Sequence, residues 1–365
     1  MPNFHIKRAK LDGYRNIRGT EAEFCDGLNI IIGPNGCGKT NFLWLLANIS
    51  DHSKMLIDMK GEIEVIEDDG KSLITKIHHE YVQDKQIVKP VLIKKIIEAK
   101  NKNKLQEVST SLVLSNNILL PFNVPNEIPT FSNSYTLIIK KIHHYLFAEI
   151  DNEIIKRFIL DKANDYYDKE DKPQNSYTLD YFNFSEDILK KVATYTPVNN
   201  IRIKYPMSSD RDFEDNTREI KIRSLLYEFE IGNEWFEWNE LSDGTRRIVW
   251  LVLNILTTEA FFILIEEPEL GIHPHQLNLL MLFIKEQSEK KQFIITTHSP
   301  EVLNIISTDE LDRIKIAKYD AVNKTTIIHA IPEKTQIAIQ EYATTQGFLS
   351  DYWVHLDLEN TAEWK

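Results

Sequence analysis

Only two cysteines, Cys25 and Cys37, occur in the 365 residues, and nowhere do the roughly 18 consecutive apolar residues of a membrane helix follow one another. The first scarcity excludes a disulfide-built scaffold. Cys37 sits inside a glycine-containing loop that a cross-link would distort, so both cysteines are expected as reduced thiols. The second excludes a membrane-spanning helix, and the polar residues 1–10 do not make a secretory leader. The chain is therefore expected in the cytoplasm, with no membrane partner. Positive charge is also in deficit: 43 lysines and arginines stand against 55 acids, a net charge of −12. That balance disfavours a protein that coats nucleic acid by bulk electrostatics, a mode that needs cations to neutralise phosphates. One local exception is residues 85–104, with seven lysines against the acid Glu98. A solvated helix face or loop is the favoured account of that run, and a basic groove for DNA is the other. No heptad pattern is long enough for an extended coiled-coil arm, and no internal repeat is found.

What is present is the composition of an ordinary globular protein, 42% hydrophobic and long enough for one large α/β core with an insertion, or for two modest domains. Runs at residues 6–14 and 21–24 and the solid apolar run 28–32 predict three strands, then a loop and a helix from Lys39. Residues 61–66 and 73–82 predict two more strands. Between 134 and 167, Ile138, Ile142, Tyr145, Leu146, Ile150, Ile154, Ile155 and Phe158 recur at helical spacing, so this part is expected to be helical. A strand at 235–238, a helix at 245–258, apolar strands at 261–265 and 293–297, and a helix at 274–290 between those two complete the pattern. Strand, helix, strand at that spacing predicts a parallel, buried sheet. The resulting division is 1–84 for the first part of a nucleotide-binding head, 85–200 for a compact and largely helical insertion, and 201–365 for the second part of the head.

Gly33-Pro34-Asn35-Gly36-Cys37-Gly38-Lys39-Thr40 matches the phosphate-loop pattern, between a predicted strand and an apolar helix as that pattern requires. Glycines let backbone N–H groups turn inward around phosphates, and the helix start adds positive dipole. Lys39 is placed to reach the β- and γ-oxygens of ATP and Thr40 to ligate Mg²⁺. Asn35, Gly36, Cys37, Gly38, Lys39, Thr40 and Asn41 are the candidate ATP-binding residues.

The strand 261–265 delivers acids to its C-terminal end, where open α/β sheets place ligands. Glu266 is assigned to Mg²⁺ and Glu267 to orienting the attacking water, with Glu269 ranking third. The plainer account is that these are helix N-terminal acids favoured by the dipole. Leu241-Ser242-Asp243-Gly244-Thr245 opens a helix; it is a common capping sequence that can also offer N–H groups to an anion. His78-His79, His143-His144 and His273-Pro274-His275 lack convergent ligands at metal spacing and read as surface or core histidines. Asp210-Arg211-Asp212 reads as a charged loop rather than half of a nuclease metal site.

In their order, the phosphate loop, the Leu241-Ser242-Asp243-Gly244-Thr245 signature, the acidic strand and Thr296-Thr297-His298-Ser299-Pro300 resemble the ABC ATPase superfamily, in particular its RecF, SMC and OLD branch. Leu11-Asp12-Gly13-Tyr14-Arg15-Asn16-Ile17, the run Glu-Glu-Pro-Glu-Leu-Gly-Ile-His-Pro at 266–274 and the segment 346–353 are similar to the small ABC-type ATPases, grouped under the AAA name, common in bacterial anti-phage systems. The resemblance covers about residues 1–50 and 235–355. It implies an ABC-type P-loop fold with a mixed or parallel central sheet and an N-terminal antiparallel β-subdomain. It also implies a homodimer or larger assembly in which Ser242 and Gly244 of one copy reach the ATP held by the other.

By the same resemblance His298 is the switch histidine at the γ-phosphate and Arg15 lies near the nucleotide. Gln83, with Gln86 competing, is the candidate Q-loop glutamine at both nucleotide and metal. Two departures stand out. The first strand-end acid is usually Asp and here is Glu266, one methylene longer. Where the transporter-type pattern continues with a D-loop Asp, this chain has Ile272-His273-Pro274, with His273 as the substitute.

Three functions are weighed. The first is an ATP-gated sensor controlling a separately encoded effector, a nuclease or toxin, in phage defence. The second is a RecF- or SMC-like ATPase acting on DNA. The third, a transporter subunit, is disfavoured because about 200 residues separate Lys39 from Leu241.

Overall fold

Alternating and solid apolar runs become strands much as their periods predict. The computed structural model describes residues 4–50, 60–67, 72–84, 87–101, 104–110, 135–138, 181–183, 185–204, 207–211, 218–222, 226–257, 262–345 and 347–356. In chain order they form β1 (Phe4–Asp12), β2 (Thr20–Glu23), β3 (Leu28–Ile32), α1 (Lys39–Ser50), β4 (Lys60–Glu67), β5 (Ser72–Asp84), β6 (Ile87–Asn101), β7 (Lys104–Thr110), β8 (Tyr135–Ile138) and β9 (Tyr181–Asn183). Then come α2 (Glu186–Tyr195), β10 (Asn200–Lys204), β11 (Met207–Arg211), β12 (Arg218–Ile222), β13 (Leu226–Ile231), β14 (Glu234–Glu237) and α3 (Asp243–Thr257). The last stretch holds β15 (Phe262–Glu266), α4 (Pro274–Gln287), β16 (Gln292–Thr297), β17 (Ile314–Asp320), β18 (Thr325–Ala330), α5 (Glu333–Thr345) and α6 (Leu349–Leu356). No described helix is long and apolar enough to cross a membrane.

Two units emerge: residues 1–140, 258–270 and 281–365 make the first, and 141–257 with 271–280 the second. The first unit carries two sheets. One is mixed, in the order β18-β17-β3-β16-β15-β8, with β17, β3, β16, β15 and β8 parallel and only β18 antiparallel. The strands β3, β15 and β16, with the apolar runs Ile30–Ile32, Phe262–Ile265 and Phe293–Ile295, lie at its centre, and every residue of the three is buried. Continuous rather than alternating hydrophobicity is what a strand covered on both faces requires. The other sheet, β2-β1-β4-β5-β6-β7, is antiparallel throughout.

Phe42, Leu45 and Leu46 of α1 are fully buried in one cluster with Ala9 and Leu11 of β1, Ile31 of β3, Phe262 and Leu264 of β15, and Ile294 of β16. Burial of that apolar area, about 25 cal/mol per Å², is the main force holding α1 in place. One buried polar side chain in this core, that of Gln292, is fully paired. The Gln292 amide accepts from Ile6 N–H at 2.7 Å and donates to the Ile6 and Cys25 carbonyls at 2.8 Å each, so its burial is compensated. Cys25 and Cys37 are free thiols.

The second unit holds the antiparallel sheet β14-β13-β10-β9 and the pair β11-β12. Arg202 of β10 is fixed by Glu228 of β13 at 2.5 Å and by the Trp235 ring, whose centroid lies 3.8 Å away. A guanidinium held by both a carboxylate and an aromatic face stiffens this sheet. Helix α3 buries Ile248, Val249, Trp250, Leu251, Val252, Leu253 and Ile255.

Three expectations change. The largely helical insertion expected at 85–200 lies mostly outside the described residues; those described there are the strands β6, β7, β8 and β9 and the helix α2, and residues 135–138 of the expected helix are strand β8 instead. Tyr135-Thr136-Leu137-Ile138 is a short β-branched and aromatic run, and periodicity alone cannot tell such a run from the start of a helix. It pairs with β15 as the edge of the parallel sheet; residues 139–180, with His143 and His144, lie outside the described residues. Within the lysine-rich run 85–104, Ile87–Asn101 is strand β6 between β5 and β7, not a helix face or loop. The β-branched residues that intersperse its lysines, Ile87, Val88, Val91, Ile93, Ile96 and Ile97, favour a strand. Asp210 and Arg211 are likewise strand residues, opposite Glu219 and Arg218, while Asp212 falls outside the described residues.

Candidate functional site

The loop from Gly33 to Gly38 leaves the C-terminal end of β3, and α1 starts at Lys39. Gly38 has φ +105°, and a Cβ there would stand 2.0 Å from Thr326 Oγ1 and 2.4 Å from Asn16 Nδ2. Glycine is required on both counts. The loop is latched from outside: Thr326 Oγ1 donates to Cys37 O at 2.7 Å and accepts from Asn16 Nδ2 at 2.9 Å. Asn16 Oδ1 accepts from Asn41 Nδ2 at 2.5 Å, and Asn41 Oδ1 accepts from Arg15 Nη1 at 3.2 Å. Arg15, at φ 51°, is exposed with its guanidinium 5.2 Å from the Tyr14 ring centroid. Tyr14 in turn stacks on Trp44 of α1 at 4.4 Å.

Lys39 is only 5% exposed, and its ammonium donates to Gly33 O at 2.6 Å and Pro34 O at 2.9 Å. An ammonium has three N–H donors and these bonds use two. The Thr40 hydroxyl donates to Glu266 Oε1, so the first helical hydroxyl after the loop meets the first acid at the end of β15. A hydroxyl and a carboxylate side by side are hard oxygen donors of the kind Mg²⁺ takes, and the donor set fits that ion. The methylene by which Glu exceeds Asp does not keep Glu266 from Thr40.

Beyond Glu266 the chain turns at once. Glu267 has φ 44° and its N–H bonds to Thr296 O at 2.7 Å. Glu266 and Glu267 are each 7% exposed. His298 follows β16, and its Nδ1 lies 3.6 Å from Glu267 Oε1 and 3.3 Å from Glu269 Oε1. Glu269 also accepts from the Thr297 hydroxyl at 2.6 Å and from His298 N–H at 3.2 Å. The third-ranked acid thus sits on the histidine, not on Thr40. Lys39, Thr40, Glu266, Glu267 and His298 all stand at the carboxyl ends of the parallel strands β3, β15 and β16 or at the helix that follows, the edge where open α/β sheets place ligands.

Ser242 and Gly244 belong to the second unit. Ser242 is the cap of α3: its hydroxyl accepts from Thr245 N–H at 3.2 Å and shares a 2.9 Å bond with Thr245 Oγ1. A Cβ at Gly244 would lie 2.7 Å from Gly271 O, so glycine lets the helix tip pack on the turn before α4. His273 is exposed and caps α4 through its backbone, with Leu277 N–H on His273 O at 2.9 Å. Gln83 is a strand residue near the end of β5, opposite Val88, rather than a loop residue; Gln86 lies outside the described residues.

Asn16, Thr326 and the histidine-holding part of Glu269 escape sequence reasoning. Thr326 is 289 residues from the carbonyl that it grips, and no local pattern marks such a pair. Glu269 carries one usable signal, its place two residues past Glu267 on the turn that ends an acidic strand.

Comparison with known proteins bears on this geometry. The chain is 22% identical to the Septu protein PtuA of Bacillus thuringiensis over 340 residues, covering 84% of this chain and 74% of that protein. A shorter stretch of 38 residues is 47% identical to the DNA double-strand break repair Rad50 ATPase of Methanopyrus kandleri, 10% of this chain and 4% of that protein. Among solved structures, the SMC head bound to the C-winged helix domain of ScpA matches with a TM-score of 0.50 at 13% identity, over 92% of this chain and 99% of that one. An SMC head with an extended coiled coil, bound to the C-terminal domain of ScpA derived from Pyrococcus furiosus, matches with a TM-score of 0.51 at 11% identity, over 94% and 100%. The fold is therefore that of the SMC heads. A profile of the family described as "AAA domain, putative AbiEii toxin, Type IV TA system" matches residues 111–304, a range that takes in the signature, the acidic strand and His298. With more than half of the chain inside that match, the protein belongs to this AAA family.

Proposed function

We propose that the chain binds and hydrolyses ATP as a homodimer, and that the closing and opening of the dimer controls a separately encoded effector, a nuclease or toxin, in anti-phage defence. The observation that carries this reading is the bond from Thr40 to Glu266, which joins the phosphate loop to the acidic strand end. Lys39 neutralises charge on the terminal phosphates, and the loop N–H groups bind the others. Glu267 orients the attacking water and takes its proton. His298 donates to the γ-phosphate from the end of the neighbouring strand. Thr40 and Glu266 would hold Mg²⁺, which when bound offsets the phosphate charge. Ser242 and Gly244 of one copy complete the site of its twin, the serine exchanging part of its capping bond for a phosphate oxygen. The likeness to the Septu protein PtuA and the resemblance to the small ATPases of anti-phage systems support the defence setting.

The head of this reading is tested by ATP-driven association. Light scattering with and without ATP and Mg²⁺ should show a dimer only with nucleotide in a Glu267→Gln variant; a monomer under all conditions would sink it. A second reading, an ATPase acting on DNA ends, is favoured by the local match to Rad50. Tight, ATP-dependent binding of bare DNA in a gel shift, without any protein partner, would make that the better account.

A further inference from the structure

Glu269 is a buried acid with no task in the loop–acid pair, and all of its described bonds lead to the segment that bears the switch histidine. Its side chain is 9% exposed. Oε1 accepts from the Thr297 hydroxyl and the His298 N–H and lies 3.3 Å from His298 Nδ1. Oε2 is buried and has no hydrogen-bond partner among the described residues. A carboxylate is costly to bury unless it does something for its neighbours. Here those neighbours are the backbone, the preceding side chain and the ring of one residue.

We infer that Glu269 is the positioning residue of His298: by taking the Nδ1 side of the imidazole it leaves Nε2 as the atom turned toward the γ-phosphate. The inference rests on the ATPase reading above. An imidazole has two distinct nitrogens, and the partner of one decides which tautomer and which orientation the other presents. A carboxylate behind a working histidine fixes ring and tautomer in this way at metal sites and in hydrolytic triads. Glu267 is the competing partner, yet its oxygen is further from Nδ1, at 3.6 Å, and its carboxylate is needed for the water. A separate anchor frees Glu267 for that work. The Thr297 hydroxyl completes the arrangement, because it fixes the Glu269 oxygen that faces the ring.

The merely structural alternative is that Glu269 caps the end of β16 and that its loss loosens the strand. A double-mutant cycle in the full chain separates the two. With Glu269→Gln alone, kcat should fall by about tenfold to a hundredfold, the usual loss for such a partner, while the KM for ATP stays near the parental value. In a His298→Ala background the same change should cost less than about twofold, since a residue that acts through the ring has nothing left to act on. Histidine-selective ¹⁵N spectra of the ATP-bound chain, assigned by the signal lost in His298→Ala, should show His298 protonated at both nitrogens in the parent, Nδ1–H on Glu269 and Nε2–H on the γ-phosphate, and the Nδ1 proton lost in Glu269→Gln.

Parental kcat in Glu269→Gln, losses that multiply in the double variant, or an unchanged ring signal would each overturn the inference. Should Glu269→Gln fail to fold, Glu269→Asp, which keeps the charge and withdraws it by one methylene, is carried through the same cycle. Absence of hydrolysis in the parental chain would count against the ATPase reading itself, and the ring spectra would then decide the place of Glu269 by themselves.

Discussion

The Thr326 hydroxyl donates a 2.7 Å hydrogen bond to the Cys37 carbonyl and so ties the hairpin β17–β18 to the phosphate loop. The bond is buried, and the same oxygen accepts from Asn16. Thr326→Val keeps the shape and removes both bonds, so that the Cys37 carbonyl and the Asn16 amide keep their long 3.5 Å bond to each other but lose the two shorter ones. The expected cost is about 1–3 kcal/mol of stability, together with weaker ATP binding. Thermal unfolding and an ATP titration check this; unchanged affinity would mean that the latch does not shape the loop.

Loop and acid variants should separate binding from hydrolysis. Lys39→Ala removes a buried charge that would face phosphates and should weaken ATP binding by about a hundredfold or more. Glu267→Gln should bind ATP normally and lower the hydrolysis rate by about a hundredfold or more, accumulating the ATP-bound dimer. Hydrolysis by the Gln variant at the parental rate would move the water-orienting part to another acid.

Ser242 has two tasks in this account, and substitutions can divide them. Ser242→Ala removes the cap on Thr245 N–H and should cost about 1 kcal/mol as well as ATP-driven dimerisation. Ser242→Asp restores a capping oxygen and the lost stability, yet places a carboxylate where a phosphate should come, so dimerisation should stay absent. Melting curves and light scattering on the same samples read both effects. Recovery of the dimer with Asp would remove Ser242 from the phosphate site.

Acid stability should depend on Glu310. Partial burial pushes this carboxyl up, and bonds from Lys285 and from the Ser307 hydroxyl and N–H outweigh that push, bringing it down to about 2. A depressed carboxyl stabilises the fold above its unfolded value near 4.5 and loses that contribution as pH falls toward the folded value. Lys285→Met removes two 2.6 Å bonds, so the variant should be less stable than the parent at neutral pH and lose less of its stability as pH falls from the unfolded value toward the parent's folded one, the two converging at the acid end. Acid titration followed by circular dichroism tests this; coincident curves would show that the network is idle.

The parts of the site that were legible are those where one local pattern carries the chemistry. The glycine loop before Lys39, the acids after an apolar strand, and Ser242 at a helix start each combine residue type and position within about ten residues. Asn16, Thr326 and the bond from Glu269 to the His298 segment were not legible, because each joins elements far apart in the chain and tertiary pairing alone brings them together. β8 was missed for a different reason. Four apolar and β-branched residues do not distinguish a parallel edge strand from the first turn of a helix, and pairing with β15 decides the matter. In β6 the lysines mask a content of Val and Ile that favours a strand. Gln83 extends the strand β5, so the insertion carries its β pattern past the place where a Q-loop was sought.

Glu267 sits in left-handed backbone, at φ 44°, a region that glycine and asparagine enter readily and other residues at a cost of about 1 kcal/mol or more. That bend ends the strand directly after Glu266, so the two consecutive acids are freed from the rule that sends neighbouring strand side chains to opposite faces. The penalty is carried by the folded chain whether or not nucleotide is near. An engineer optimising melting temperature alone would therefore write Gly or Asn at position 267, and on the reading proposed above would obtain a sturdier protein that leaves ATP intact.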